Sequence, residues 1–238
     1  NYEDWVPGSF NHCVISPKAA ELRQALEVDS PATSILVSGP PGTGKTLMTT
    51  LTFQEHGIHM LDFNAMDAFN EARKRELKQA ITAVSLRGRA GVFLHNVVGS
   101  YGQGVHHDDL ITYVISLLKE YQDHGVLVVE ADELATRPIR QLARLVKHNI
   151  RFFKPGMKDL FTYAKRLNET QQLRLSREQL QHAVQASQQD YRQLLTNMYL
   201  LTQNPDAELF SSNTTAGNIF KETEVLLRKK LKRGEEKN

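Results

Sequence analysis

The stretch Gly39-Pro40-Pro41-Gly42-Thr43-Gly44-Lys45-Thr46 constrains the fold more than any other part of the sequence. It fits the pattern G-x-x-x-x-G-K-[S/T], follows the apolar run 35–38 and precedes a segment with helical spacing at 47–54. Glycines let the main chain curve so that successive N–H groups point at an anion, and the next helix adds the positive end of its dipole. The sequence therefore predicts a strand, a phosphate-binding loop (P-loop) and a helix in succession.

Two side chains of this loop have predicted roles. Lys45 is expected to reach the β- and γ-phosphates of a nucleotide, and the Thr46 hydroxyl is expected to ligate Mg²⁺. ATP and Mg²⁺ are thus the predicted cofactors. The predicted nucleotide-binding positions in the loop are Gly39, Pro40, Pro41, Gly42, Thr43, Gly44, Lys45, Thr46 and Leu47.

Five short apolar runs alternate with segments of helical spacing, which favours an α/β fold with a five-stranded parallel sheet between helices. The predicted strands are 35–38, 58–61, 91–94, 126–129 and 150–153. The predicted helices between them are 47–54, 68–84, 110–121 and 139–146. In such a fold the carboxyl ends of the strands form one edge, where ligands bind.

Strand patterns cease after Pro155, and three helical patterns follow at 158–167, 177–186 and 191–201. Ser176 with Gln179 is a candidate capping box for the second of them. We therefore predict an α/β nucleotide-binding domain at 1–154 and a small three-helix lid domain at 155–203. Residues 204–238 are predicted to be a linker and the start of a C-terminal, collar-like helical region, with a helical pattern at 220–231.

Composition and charge limit the cellular compartments in which the protein is expected. No run approaches the roughly 18 apolar residues of a membrane-spanning helix, so membrane insertion is not expected. The single cysteine, Cys13, cannot form an internal disulfide, which fits a reducing compartment. The net charge is +2, and basic residues gather at 228–233, a candidate nuclear-import or phosphate-binding patch unless it is simply a solvated chain end.

Several further segments resemble the AAA+ clamp loaders, and most of all the large subunit of replication factor C. Leu61 to Asp67 is similar to the Glu-x-Asn-Ala-Ser-Asp that follows their second strand, and Gln189 to Gln193, with Leu195 and Asn197, is similar to their lid signature. Trp5-Val6-Pro7 and the residues after it resemble their entry segment, while 150–155 matches their crossing into the lid. The resemblance covers roughly residues 3 to 231.

The resemblance implies further site residues. Val6, Pro7, Val14 and Ile15 would surround adenine, and Arg192 would be the lid arginine that reaches the γ-phosphate. Small clamp-loader subunits carry Ser-Arg-Cys, with an arginine that acts on a neighbour's ATP, where this chain has Leu145-Val146-Lys147. The large subunit also lacks that arginine, although Arg144 lies close by.

The third predicted strand departs from the family pattern. The family ends this strand with Asp-Glu, which hold magnesium and polarise the attacking water, whereas this chain has His95 and Asn96. An amide cannot accept the proton of water, and loss of a general base typically lowers the rate about 10²- to 10⁴-fold. Slow or absent hydrolysis is therefore expected, so whether the chain is an active enzyme stays open.

A second alignment makes 126–133 the acidic strand, since Glu130 and Asp132 also follow an apolar run. The first alignment is favoured because it leaves a polar sensor strand in its expected place. Even so, Glu130 or Asp132 could substitute as metal ligand or base.

The function that the resemblance implies is that of an ATP-binding subunit of a DNA sliding-clamp loader in replication or repair. Its expected partners are small clamp-loader subunits, a sliding clamp and primer-template DNA held through its backbone. The expected location is the nucleus or a viral replication compartment, and otherwise the cytosol. Candidate DNA contacts are Arg73, Lys74, Arg75, Lys78, Arg87 and Arg89. The alternatives are an active AAA+ ATPase that remodels proteins and the large subunit of a checkpoint- or cohesion-linked loader.

Overall fold

The structure, a computed structural model, describes residues 5–8, 17–27, 32–82, 90–97, 107–121, 125–132, 136–205, 207 and 209. In chain order the elements are α1 (Pro17–Glu27), β1 (Thr33–Ser38), α2 (Lys45–Glu55), β2 (His59–Asn64), α3 (Glu71–Thr82), β3 (Ala90–Val97), α4 (His107–Glu120), β4 (Val126–Ala131), α5 (Arg137–Leu145), β5 (His148–Arg151), α6 (Met157–Thr170), α7 (Arg177–Ala186) and α8 (Tyr191–Gln203). None of these helices is long and apolar enough to cross a lipid bilayer.

The five strands form one sheet in the order β2-β3-β4-β1-β5, and all neighbours are parallel. The predicted fold class, a parallel five-stranded sheet with helices in a P-loop arrangement, is confirmed. β1 lies between β4 and β5, so the loop that follows β1 lies beside the carboxyl end of β4. β3 is one strand further away, because β4 separates it from β1.

Alternate residues of the central strands supply two apolar cores, one on each face of the sheet. Ile35 and Val37 of β1 pack in the core formed with α1 and α2, whereas Leu36 packs in the core formed with α3, α4 and α5. In β4, Val126 and Val128 belong to the α1/α2 face. Because side chains alternate along a strand, Glu130 continues the Val126 and Val128 series and faces the side on which α2 begins.

Some boundaries differ from the sequence-based ones. Helix α1 was not predicted, although its buried Ala19, Leu22 and Leu26 have helical spacing. Helix α3 begins at Glu71 rather than at residue 68, because the Asn70 side chain accepts a hydrogen bond from the N–H of Arg73 and caps the first turn. Strand β5 ends at Arg151, before the predicted 153.

The chain divides into two compact units, with divisions in the main chain between residues 5 and 6 and between residues 154 and 155. In the second unit, α6, α7 and α8 pack together, and Tyr163 of α6 contacts Tyr191 of α8 edge to face with ring centroids 5.5 Å apart. The predicted capping box is present at the start of α7, where Ser176 and Gln179 exchange hydrogen bonds. Trp5 belongs to this unit and packs edge-on against Tyr199.

Candidate nucleotide-binding site

The P-loop has the curved main chain that its glycines predict. Gly39, Gly42 and Gly44 have φ angles of 148°, 71° and 88°. At Gly39 an added Cβ would lie 2.4 Å from the carbonyl oxygen of Phe152, so only glycine fits between β1 and β5. Gly44 precedes α2 in a left-handed conformation and provides no side-chain cap. The first N–H groups of α2 are thus left without a side-chain partner, as in helix N-termini that bind phosphate.

Lys45 is buried, with 4% of its surface exposed. Its ammonium donates hydrogen bonds to the carbonyl oxygens of Gly39 and Pro40, each at 2.9 Å, and forms an ion pair with Oδ1 of Asp132 at 3.2 Å. The three acceptors match the three donors of an ammonium group. The predicted phosphate-binding lysine is therefore held in place by its own loop and by a carboxylate that follows β4.

Thr46 contacts the second acidic side chain of this region. Its hydroxyl Oγ1 donates a hydrogen bond to Oε1 of Glu130 at 3.0 Å. Glu130 is 5% exposed, and its other oxygen, Oε2, is buried without a hydrogen-bond partner among the described residues. Burial raises the pKa of Glu130, a shift that the hydrogen bond from Thr46 and the positive charge of Lys45 oppose.

Main-chain hydrogen bonds hold the end of β4 on both sides. The N–H of Gly39 donates to the carbonyl of Ala131 at 3.3 Å, and the N–H of Asp132 donates to the carbonyl of Val97 at 3.1 Å. These bonds place Glu130 and Asp132, two residues apart, on the face where α2 begins. The structure therefore brings together four of the predicted site residues, namely Lys45, Thr46, Glu130 and Asp132.

The end of β3 makes different contacts. Nε2 of His95 lies 3.1 Å from Oδ1 of Asp62 on β2, and the imidazole stacks on Phe93 with centroids 5.4 Å apart. Asn96 has a φ of 59° at a register shift between β3 and β4, and its Nδ2 donates to Oδ1 of Asn64 at 3.2 Å. Both side chains therefore bond toward β2, away from the strand that carries the P-loop. Sequence reasoning did not identify Asp62 or Asn64 as their partners.

The residues around Thr46 suit Mg²⁺. Magnesium prefers oxygen ligands and is usually bound through one or two carboxylates, waters and substrate phosphates. The Thr46 hydroxyl provides one such oxygen, and Oε2 of Glu130, which is buried and has no hydrogen-bond partner in the described part of the chain, provides another. Within the described part of the chain no group of three or more His, Cys, Asp or Glu residues could hold a metal alone. A magnesium ion here would therefore be bound together with nucleotide phosphates.

The remaining predicted nucleotide contacts are on other segments of the chain, and two of them are outside the described residues. Leu47 is partly buried against the core of the α1/α2 face. Val6 is 43% exposed, Pro7 is half-buried, and Val14 and Ile15 lie outside the described residues. Arg192 lies exposed in the first turn of α8. Their contacts with adenine and with the γ-phosphate stay predictions.

The rest of the lid signature has a structural role. Asp190 caps α8 by accepting a hydrogen bond from the N–H of Gln193. Gln193 in turn donates to the side chain of the fully buried Asn197 at 3.0 Å. These contacts fix the first turns of the helix that presents Arg192.

Basic residues of α3 are engaged within the chain. Arg73 pairs with Asp67 and Glu76, both at 2.9 Å, and its guanidinium lies over the ring of Phe63. Lys74 pairs with Glu71 at 2.7 Å, and Lys78 lies 3.6 Å from Glu120. Arg87 and Arg89 lie outside the described residues. DNA contact through this helix stays a prediction, and it would compete with these ion pairs.

A comparison with protein families decides the class. Residues 35–155, which span most of β1, the P-loop and β2 to β5, match the family described as "ATPase family associated with various cellular activities (AAA)". The chain belongs to the AAA family. Binding of ATP with Mg²⁺ is what this family membership and the P-loop imply.

Individual similarities are more distant. The chain is 24% identical over 197 residues to replication factor C subunit 1 of Drosophila melanogaster, covering 78% of this chain and 20% of that protein. It thus spans about a fifth of the length of this relative. A structure of RuvB from Thermotoga maritima, titled a Holliday junction branch migration motor, matches with a TM-score of 0.59, 14% identity and coverage of 85% of this chain and 65% of that one. A point mutant of the same RuvB matches with a TM-score of 0.60 at 14% identity, covering 95% of this chain and 74% of that one. At these identities the RuvB structures support the AAA fold alone.

Proposed function

We propose that this AAA domain binds ATP with Mg²⁺ as a subunit of a DNA sliding-clamp loader of the replication factor C large-subunit type. The observation that supports nucleotide binding is the geometry of the P-loop. Lys45 and Thr46 begin α2, and three glycines of the loop before them have positive φ. Polyphosphate with a divalent cation is the ligand that suits an uncapped helix N-terminus, a buried ammonium and a threonine hydroxyl.

The clamp-loader part is supported by the relative from Drosophila melanogaster, which aligns with 78% of the chain, and by the segments that resemble clamp loaders outside the P-loop. Such a subunit would work in the nucleus with small clamp-loader subunits, a sliding clamp and primer-template DNA. Hydrolysis by this subunit would be weak, since His95 and Asn96 stand where the family has two carboxylates. Nucleotide binding rather than turnover would then be the signal that this subunit gives to the assembly.

The nucleotide part is tested by calorimetry with ADP and with a non-hydrolysable ATP analogue in the presence of Mg²⁺. The parent chain is expected to bind both. Lys45→Ala removes a charged donor to the phosphates and should weaken binding about 10- to 100-fold, the equivalent of one or two charge-assisted hydrogen bonds. Arg166→Ala, an exposed change on α6, is the matched control. Equal affinities of the parent and the Lys45→Ala variant would contradict the assignment.

The clamp-loader part is tested by coexpression with the small subunits of a eukaryotic clamp loader and its ring-shaped clamp. A complex that contains this chain and binds primed DNA more tightly with ATP is the expected result. Nucleotide binding by the chain without any such complex would favour the alternative of a separate AAA remodelling ATPase.

A further inference from the structure

The two carboxylates at the end of β4 meet the two P-loop side chains that handle phosphate and metal. Glu130 contacts Thr46 at 3.0 Å, and Asp132 contacts Lys45 at 3.2 Å. Each contact joins residues more than eighty positions apart in the sequence, so local chain geometry does not explain it. Acidic residues at the end of β4, the strand next to β1, therefore contact the P-loop through tertiary structure.

We propose that Glu130 is the carboxylate through which this protein holds Mg²⁺ together with Thr46 and the nucleotide phosphates. This inference rests on the proposed nucleotide binding and specifies which acidic residue would bind the Mg²⁺ ion. That residue comes from β4, the neighbour of the P-loop strand, instead of from the end of β3.

The distance between Thr46 and Glu130 fits two ligands of one ion. Mg²⁺ binds oxygens at about 2.0–2.1 Å in an octahedron, so neighbouring ligand oxygens lie about 2.9 Å apart. Oγ1 of Thr46 and Oε1 of Glu130 are 3.0 Å apart. The two oxygens therefore have the spacing expected of adjacent ligands of one ion.

The burial of Glu130 also indicates a cationic partner. An ionised carboxylate that is 5% exposed is unfavourable unless a cation or several donors compensate its charge. Lys45 does not fill this role alone, since its three donors are directed to Gly39, Pro40 and Asp132. Oε2 of Glu130 has no hydrogen-bond partner among the described residues, so it is available to a cation.

The end of β3 is a poorer source of a metal ligand. His95 bonds to Asp62, and Asn96 bonds to Asn64, both on β2. Imidazole nitrogen is also a weak ligand for magnesium, which selects oxygen. The residues at the positions where the family has its acidic pair are therefore engaged elsewhere.

The test measures how the ADP affinity of the 238-residue chain depends on free Mg²⁺, using calorimetry at a series of Mg²⁺ concentrations. For the parent, affinity should rise with Mg²⁺. For Glu130→Gln the Mg²⁺ concentration at half effect should increase about 10- to 100-fold, the usual range for losing a group that supports a bound metal. Affinity measured in chelator should not fall, because the amide removes a negative charge near the phosphates. Asn96→Ala is the matched control and should follow the parent.

A second Glu130 variant and a second metal ion provide two further measurements. Glu130→Asp keeps the negative charge on a shorter side chain, so it should raise the Mg²⁺ concentration at half effect, but by less than Glu130→Gln does. If thermal melting shows that the Glu130→Gln variant is unfolded, Glu130→Asp replaces it. Mn²⁺ in place of Mg²⁺ allows the bound ion to be followed by electron paramagnetic resonance, where Glu130→Gln should increase the free Mn²⁺ signal in the presence of ADP.

If the parent binds ADP and the Glu130 variants show the same Mg²⁺ response as the parent, this inference is overturned. It is also overturned if the Mg²⁺ response changes in Asn96→Ala instead. Either result leaves the proposed nucleotide binding intact. A parent that binds no nucleotide at any Mg²⁺ concentration overturns the proposed function itself.

Discussion

The ends of β3 and β4 are neighbours in the sheet, but their polar side chains join different networks. At β3, His95 and Asn96 bond outward to Asp62 and Asn64 on β2. At β4, Glu130 and Asp132 bond inward to the P-loop. In a parallel sheet, the strand beside the phosphate-binding strand can present acids to the loop as readily as the more distant one. In this protein the acids that contact the P-loop come from β4, the strand adjacent to the P-loop strand, and not from β3.

The largest effect on this comparison should come from Gly39→Ala. The new Cβ would lie 2.4 Å from the Phe152 carbonyl oxygen, in a residue with a φ of 148°. Overpacking and backbone strain together should lower the free energy of unfolding by about 2–5 kcal/mol. Because Gly39 also bonds to Ala131, the change should displace the end of β4 and abolish nucleotide binding.

Denaturant melts and calorimetry measure both effects of the Gly39 change. Gly57→Ala is a control for positive φ without a clash, since its φ of 60° lies in the milder left-handed region and an added Cβ meets nothing within 4 Å. That variant should lose about 1–2 kcal/mol and keep its affinity for nucleotide. Equal losses in the two variants would show that the approach of Phe152 is unimportant.

The charge of Glu130 should have an intermediate effect on the stability of the protein in the absence of nucleotide. Burial raises the pKa of this carboxyl in the folded state, whereas the hydrogen bond from Thr46 and the nearby Lys45 and His95 lower it and Asp132 raises it further. The folded state therefore binds the proton more tightly than the unfolded chain does. Stability of the parent should decrease as pH rises through the elevated pKa, and the loss should be complete above it.

Glu130→Gln removes this pH-dependent cost. At pH 8 without Mg²⁺ or nucleotide, the variant should be more stable than the parent by about 1 kcal/mol, since it buries an amide instead of a charge. The advantage should shrink as pH is lowered through the elevated pKa of Glu130, where the parent carboxyl takes up its proton. Thermal melts at several pH values measure it, and a constant difference across that range would show that the charge is not responsible.

The smallest effect should come from the β3 side of the comparison. His95→Ala removes the contact with Asp62 and the stacking on Phe93, which should lower the free energy of unfolding by about 0.5–1.5 kcal/mol. Nucleotide affinity should change less than about twofold, because neither lost contact involves the P-loop. A larger loss of affinity would place His95 in the site and break the distinction between the two strands.

Much of the fold follows from local patterns in the sequence. Each of the five strands overlaps a predicted apolar run, although β5 shares only residues 150 and 151 with its run, and the glycines at 39–46 determine the loop between β1 and α2. The capping box at Ser176 was also predictable, because its two partners are three residues apart. Helix α1 could have been found from Ala19, Leu22 and Leu26, but two of the four residues at the buried positions 19, 22, 25 and 26 are alanines, which gives a weak apolar pattern.

The contacts of the site were less accessible from the sequence. Glu130 and Asp132 were identified as candidate substitutes, but their separate partners depend on strand order and on the register of β4 against β1. The register shift between Leu94 and Val97 brings Asn96 to a positive φ, and no glycine or proline in that part of the strand indicates it. Alternation along β4 could have placed Glu130 on the α2 face once β4 was known to adjoin β1.

The ion pair between Asp132 and Lys45 has a consequence for ligand selectivity. A ligand that binds this loop has to compete with a carboxylate that already neutralises the lysine. A singly charged group gains little by replacing another single charge, whereas a di- or triphosphate offers several charges and further contacts with the loop amides. We therefore expect the ion pair to favour binding of highly charged polyphosphates over singly charged inorganic anions.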